Sequence, residues 1–145
     1  MNGVVVGVDG SPGSLTALRF ALEEARLRGT TLHVVGAWQF PAMVYAGGAG
    51  VGVADLSAEL DTRAGRAVDA ALDGIDAGDV PVEQHVLEGH PASVLLGAGA
   101  GADLLVVGSR GLGGFARMLL GSVGQEVTHH APCPTVIVPT PTEQA

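Results

Sequence analysis

The sequence predicts an α/β domain built on a parallel five-stranded sheet covered on both faces by helices. Three observations carry this. Short apolar runs alternate with helical patterns in the order β-α-β-α-β-α-β-α-β, and such alternation requires crossovers that lay helices over a parallel sheet. The chain has 145 residues and is 47% hydrophobic but only 3% aromatic, so one core of Val, Leu, Ala and Ile is expected. Several of the runs are continuous rather than alternating, as in strands buried on both faces.

Taken in order, "GVVVGVD" (3–9) is the first strand, ending in an acid. Ser11 is placed to cap the first helix, with Pro12 at its first position. Leu15, Leu18, Leu22 and Ala25 recur at helical spacing until Gly29 stops them. "TLHVVGAW" (31–38) is a second buried strand. Residues 39–54 carry no clear period, and a connection of that length is expected to be functional or mobile. Asp55 or Ser57 is expected to cap the second helix, whose face is Leu60, Ala64, Ala67, Ala71 and Ile75. "VPVEQHVLEG" (80–89) is a third, less buried strand. Pro91 opens a short helix to about Ala100, "ADLLVVG" is the fourth strand, and "GSVGQEVTHHA" the last helix. "CPTVIVP" is the fifth strand, and its flanking Pro134 and Pro139 push it to a sheet edge. That edge, Thr135-Val136-Ile137-Val138, is suited to pairing with a second copy.

A net charge of −8 argues against nucleic acid and anionic membranes as partners. The single cysteine, Cys133, excludes an internal disulfide framework and fits a reducing compartment. No apolar stretch reaches membrane-spanning length and no secretory leader is evident, so a cytoplasmic protein is expected.

The glycine-rich stretch "GSRGLGGFARMLLGSVG" (108–124) follows the fourth strand. Such a stretch serves a tight turn, a dinucleotide or a mononucleotide phosphate. A P-loop needs a lysine, and the chain has none. The dinucleotide fingerprint is formally present at Gly111, Gly113 and Ala116, but it follows the fourth strand and lacks the acid about twenty residues on. A loop leading into a helix at Ser122 remains, where unpaired amides favour an anion and Ser122 is placed to cap the helix or meet a phosphate. Arg110 and Arg117 lie in the same loop. In open α/β sheets ligands bind beyond the carboxyl ends of the strands, so Asp9 and this loop share a crevice if the first and fourth strands are neighbours. The alternative for Asp9 is a turn residue at the start of the first helix.

The histidines offer less. His129 and His130 sit near Cys133, but adjacent helical residues point about 100° apart, so charge complementarity at the helix C-terminus is preferred to a metal site. His33, His85 and His90 have no evident catalytic partner, and no catalytic or metal-ligating residue is assigned.

Gly108, Gly111 and Gly121-Ser122 match G-x2-G-x9-G-[ST], the nucleotide signature of the universal stress proteins, which this chain resembles over essentially its whole length. "VVVGVDGSPGS", "VVGAW" and "HHAPCPTVIVP" look like that family's first, second and last strands. The resemblance implies a single domain over 1–145, with an ordered core of about 2–139. It implies a flavodoxin-like, adenine-nucleotide α-hydrolase-like three-layer sandwich with strand order 3-2-1-4-5, dimeric through the fifth strand. It implies an ATP site, with Mg²⁺, in which Gly7, Val8 and Asp9 lie at adenine and ribose and Ala37 lines the adenine pocket. Val107, Gly108 and Gly111 would meet ribose and phosphate, and Gly121, Ser122 and Val123 the triphosphate; Arg110 and Gly124, from their place in the same stretch, are counted among the candidate nucleotide-binding residues. Gly124 departs from the pattern, which often has Ser or Thr there. The function implied is nucleotide-dependent regulation in a stress response through an unidentified protein partner. The alternatives are a slow ATPase or adenylyl-transferring enzyme, and a dimerisation module without nucleotide.

Overall fold

The computed structural model describes residues 1–42, 52–110 and 120–140. The elements run β1 (Val4–Gly7), α1 (Pro12–Arg28), β2 (Leu32–Trp38), α2 (Val53–Asp73), β3 (Val82–Glu88), α3 (Pro91–Gly99), β4 (Leu104–Gly108), α4 (Ser122–His130) and β5 (Thr135–Val138). The five strands are parallel in the order β3-β2-β1-β4-β5. β1 is central, with Val4 paired to Leu32 on one side and to Leu104 on the other. The proline-flanked β5 is an edge strand, as expected. Its carbonyls at Pro134 and Val138 accept from β4, so the alternate backbone groups of Thr135 and Ile137 face outward.

Strand alternation divides the apolar side chains between two cores. Val4, Val6, Val34 and Val106 pack on Leu18, Leu22 and Val68 of α1 and α2. Val5, Val35, Leu105 and Val107 pack on Ala92, Leu95 and Val127 of α3 and α4. Val4, Val5 and Val6 are completely buried, which is why β1 reads as a continuous apolar run. Among the described residues no helix is long and apolar enough to cross a membrane.

α1 begins and ends where its sequence says. The Ser11 hydroxyl accepts from the Ser14 amide at 3.2 Å, and Gly29 closes the helix in the left-handed conformation (φ 64°). α2 departs from expectation. Its N-cap is Gly52, with no side-chain cap. Asp55 lies within the first turn, and the Ser57 hydroxyl turns back onto the Ala54 carbonyl at 3.0 Å. Either residue satisfies the local cap preference, but helical hydrogen bonding already extends to the Leu56 amide, bound to Gly52. Ile75 lies beyond the helix, and the buried residues are Val68 and Ala71. The expectation for 39–54 falls largely outside the described residues, as do Gly111, Arg117 and the last five positions.

A close backbone approach joins α1 to the exit of β4. A Cβ on Gly13 would stand 2.5 Å from the Arg110 carbonyl oxygen, and one on Gly108 would stand 2.8 Å from the Gly13 carbonyl oxygen. Two backbones can meet here because neither carries a side chain.

Gly13→Ala should therefore lower stability by about 1–3 kcal/mol, although alanine is the better helix former. Gly97→Ala in α3, with nothing within 4 Å of the added carbon, should raise it by about 0.5–1 kcal/mol. Urea denaturation of both variants checks the sign in each case. Ser11→Ala should cost about 1 kcal/mol through loss of the cap, read in the same assay.

Candidate functional site

The carboxyl ends of β1, β2 and β4 open into a crevice of about 700 Å³, closed on its sides by α2 and the start of α4. That volume is in the usual range for small-molecule sites. Its position beside β1, where the chain turns to opposite sides of the sheet, is the expected one for an open α/β fold. Because β1 and β4 pair directly, Asp9 and the β4 exit do face one another.

At the β1 end, Gly7, Val8 and Asp9 line the crevice. The Val8 amide binds the Val35 carbonyl at 2.9 Å, which holds the chain in sheet geometry past the end of β1. The exposed Asp9 also shapes the turn into α1. Its Oδ1 accepts from the Ser11 amide at 2.9 Å and from the Ser11 hydroxyl. The Ser14 hydroxyl donates to the Ser11 carbonyl at 2.9 Å and accepts from the Asp9 amide at 3.3 Å. Asp9 thus fills the turn role weighed for it while standing at the crevice, and Ser11 and Ser14 are parts of the turn that holds it there.

Ala37 and Trp38 end β2 on the crevice wall. The Trp38 indole donates to Asp61 of α2 at 2.9 Å and meets Phe40 edge-on at 5.4 Å. Leu60, Ala64 and Ala67, placed on one face of α2 by their spacing, line the crevice. Helical periodicity identifies a common face; it does not say whether that face meets the sheet or a cleft. Arg63 is a crevice cation that the sequence reading missed. Its exposed ion pair with Glu59, at 3.2 Å, is of the weak surface type. The signal was present in its spacing, one position before Ala64.

Val107, Gly108 and Arg110 line the opposite wall, with Gly121, Ser122, Val123 and Gly124. The Gly121 amide donates to the Ser109 carbonyl at 2.6 Å, tying the start of α4 to the end of β4. Gly121, not Ser122, is the N-cap, and no side chain caps this helix. Its first amides have no partner within the helix, so the positive end of α4 opens into the crevice. Gly124 is buried in the first turn. A Cβ there would stand 2.7 Å from Leu120 Cδ1, so Ser or Thr would require Leu120 to move. Of the residues designated in the sequence for this site, Gly111 and the loop's Arg117 lie outside the described ones.

The remaining histidines do find partners. His90 caps α3, its Nδ1 accepting from the Ala92 amide at 3.2 Å, and lies 3.7 Å from Glu126. The ring nitrogens of His33 and His85 are 3.0 Å apart. They lie on different strands, so no local pattern could bring them together. Burial first, and then His33, hold the His85 imidazole below its ordinary value. Burial pushes the Cys133 thiol up, away from the reactive thiolate.

Comparison with known proteins agrees with this architecture. The profile of the universal stress protein family matches residues 1–139. Universal stress protein Rv2005c of Mycobacterium tuberculosis (strain H37Rv) is 39% identical over 136 residues, covering 92% of this chain and 44% of the relative. The chain spans about half the length of the first of the curated relatives it matches. A universal stress protein solved in complex with cAMP superposes with a TM-score of 0.62 at 31% identity, covering 97% of this chain and 98% of that one. The universal stress protein from Archaeoglobus fulgidus in complex with dAMP gives a TM-score of 0.57 at 26% identity, covering 95% and 98%. The chain, with its 3-2-1-4-5 sheet and matching profile, belongs to the universal stress protein family.

Proposed function

We propose that this chain binds ATP with Mg²⁺ in the crevice and acts in the cytoplasm as a nucleotide-dependent regulator of a stress response. The observation that carries the reading is the uncapped N-terminus of α4 opening beside the Gly7–Asp9 turn. Backbone amides and a helix dipole there suit phosphate oxygens. Val8, Ala37 and Val107 offer the apolar surface an adenine ring requires. Two related proteins solved with cAMP and dAMP support an adenine nucleotide as the ligand class.

In this reading Gly7, Val8, Asp9 and Ala37 take the nucleoside. Val107, Gly108, Arg110 and Gly111 take the ribose and first phosphate. Gly121, Ser122, Val123 and Gly124 take the rest of the triphosphate. Asp9 is the only carboxylate among the described crevice residues, and its Oδ1 is committed to the Ser11 turn. A carboxylate at this point of the crevice suits ribose hydroxyls. Mg²⁺ would then arrive on the phosphates, keeping several of its waters. Regulation follows if the bound conformation has the higher affinity for ATP, since a ligand shifts an equilibrium only by that difference.

The same reading makes the chain a homodimer through β5, where Thr135, Val136, Ile137 and Val138 form an edge and the Thr135 and Ile137 backbone groups face outward. Proline is tolerated at a strand's first residue, so Thr135→Pro removes an outward donor while leaving the bonds to β4. Sedimentation equilibrium should show a wild-type dimer and a folded monomeric variant. A wild-type monomer at micromolar concentration, or an unchanged variant dimer, would refute the interface.

For the nucleotide, calorimetric titration of stripped protein with Mg²⁺-ATP should give micromolar affinity, about −8 kcal/mol. The sole tryptophan, Trp38, lines the crevice, so its fluorescence should change in parallel. Gly121→Val, which puts a branched side chain at the mouth of the amide cradle, should weaken binding at least ten-fold. Folded wild type that ignores millimolar ATP would overturn the proposal.

A further inference from the structure

Away from the crevice, β2 and β3 bring three metal-ligating side chains together. Sheet register pairs His33 with Glu83 and Val35 with His85, so His33, Glu83 and His85 share one face at the β3 edge. Their donor atoms all lie within 4.8 Å of one another. None of the three lines the nucleotide crevice, whose nearest wall on this strand is Val35, the register partner of His85.

The two imidazoles are already oriented. His33 is only 7% exposed, and its Nε2 lies 2.7 Å from the Asn2 carbonyl oxygen. A carbonyl only accepts, so Nε2 carries the proton and donates. That leaves the Nδ1 lone pair directed at His85 Nε2, 3.0 Å away. A histidine that gives one N–H to a backbone carbonyl and aims its other nitrogen outward has the arrangement found behind metal ligands. Two nitrogens bound tetrahedrally at 2.0–2.1 Å stand about 3.3 Å apart, close to the separation seen. Glu83 is exposed and supplies an anionic oxygen from the solvent side. The chain's terminal ammonium is the positive group that also acts on His85; it is held by the Ala98 and Ala100 carbonyls at 3.1 and 2.8 Å. The Glu83 carboxylate acts on His85 in the opposite sense.

We propose that His33, Glu83 and His85 form a binding site for a divalent transition-metal ion, with zinc the best match to two imidazoles and one carboxylate. The fourth position is open to water, and the ion cross-links the edge strand β3 to β2. The contact to Asn2 equally lets His33 Nδ1 accept from a His85 Nε2–H when no ion is bound; it is Glu83 that extends the pair to a set of three ligands. Imidazole donors also disfavour Mg²⁺ and Ca²⁺.

The test uses the full chain, stripped with chelator and free of nucleotide. Titration with Co²⁺ should give a tetrahedral visible absorption that saturates at one ion per chain and is displaced by Zn²⁺. Zn²⁺ should also raise the thermal midpoint. His33→Gln risks the fold because His33 is buried, so the accessible partners carry the test. His85→Gln and Glu83→Gln should each weaken binding at least ten-fold while circular dichroism is unchanged. A His129→Ala/His130→Ala double variant and Gly121→Val should bind as wild type does, which separates this site from the other histidines and from the nucleotide reading. No saturable binding by folded wild type would overturn the proposal. So would binding that survives both His85→Gln and Glu83→Gln, or that vanishes in the His129/His130 variant.

Discussion

The direct pairing of β1 with β4 is the constraint on which the rest of this molecule depends. It sets the turn at Asp9 against the exit of β4 at Gly108. The backbone contact between Gly13 and Arg110, and its reciprocal between Gly108 and Gly13, then fixes α1 against that exit. Without side chains at those two positions the strand end and the helix start close to van der Waals distance. The Gly121 amide, bonded to the Ser109 carbonyl, carries the same constraint on to α4. The orientation of the α4 dipole toward the crevice is thus a consequence of how β4 leaves the sheet.

The glycines of the β4 exit consequently serve the fold and the site together. Gly108 is required by the approach of Gly13, and the same bare backbone faces the crevice. Gly124 is different, because the space its side chain would occupy is taken by Leu120. The departure from the family's hydroxyl-bearing residue therefore coincides with a leucine filling the gap. Asp9 has a similar double character, bonded into the Ser11 turn and exposed at the crevice.

The two ends of the sheet carry different chemistry. At the carboxyl ends of the strands, partial positive charge from a helix terminus and the arginines meets apolar walls, which suits a phosphorylated aromatic ligand. On β2 and β3, two imidazoles and a carboxylate converge on one face of an edge pair, which suits a borderline transition-metal cation. Neither arrangement uses residues of the other. β3 is the strand with the fewest buried positions, so a cross-link there would act where the sheet has least packing to hold it.

The sequence by itself determined the order of the nine elements, the ends of α1, the edge placement of β5 and the glycine-serine signature before α4. Each of these follows from short-range effects: periodicity, capping, the missing N–H of proline, and glycine's lack of a side chain. The strand order was legible only through resemblance to a family, because alternation of strands and helices specifies a parallel sheet without saying which strands touch. Tertiary structure alone decided that the face of Leu60, Ala64 and Ala67 lines a crevice, that Arg63 stands beside it, and that Gly121 rather than Ser122 caps α4. It alone brought His33 to His85, 52 positions apart. The physical reason is common to all of these. Local rules establish what a segment becomes, whereas register and packing between distant segments establish what its side chains meet.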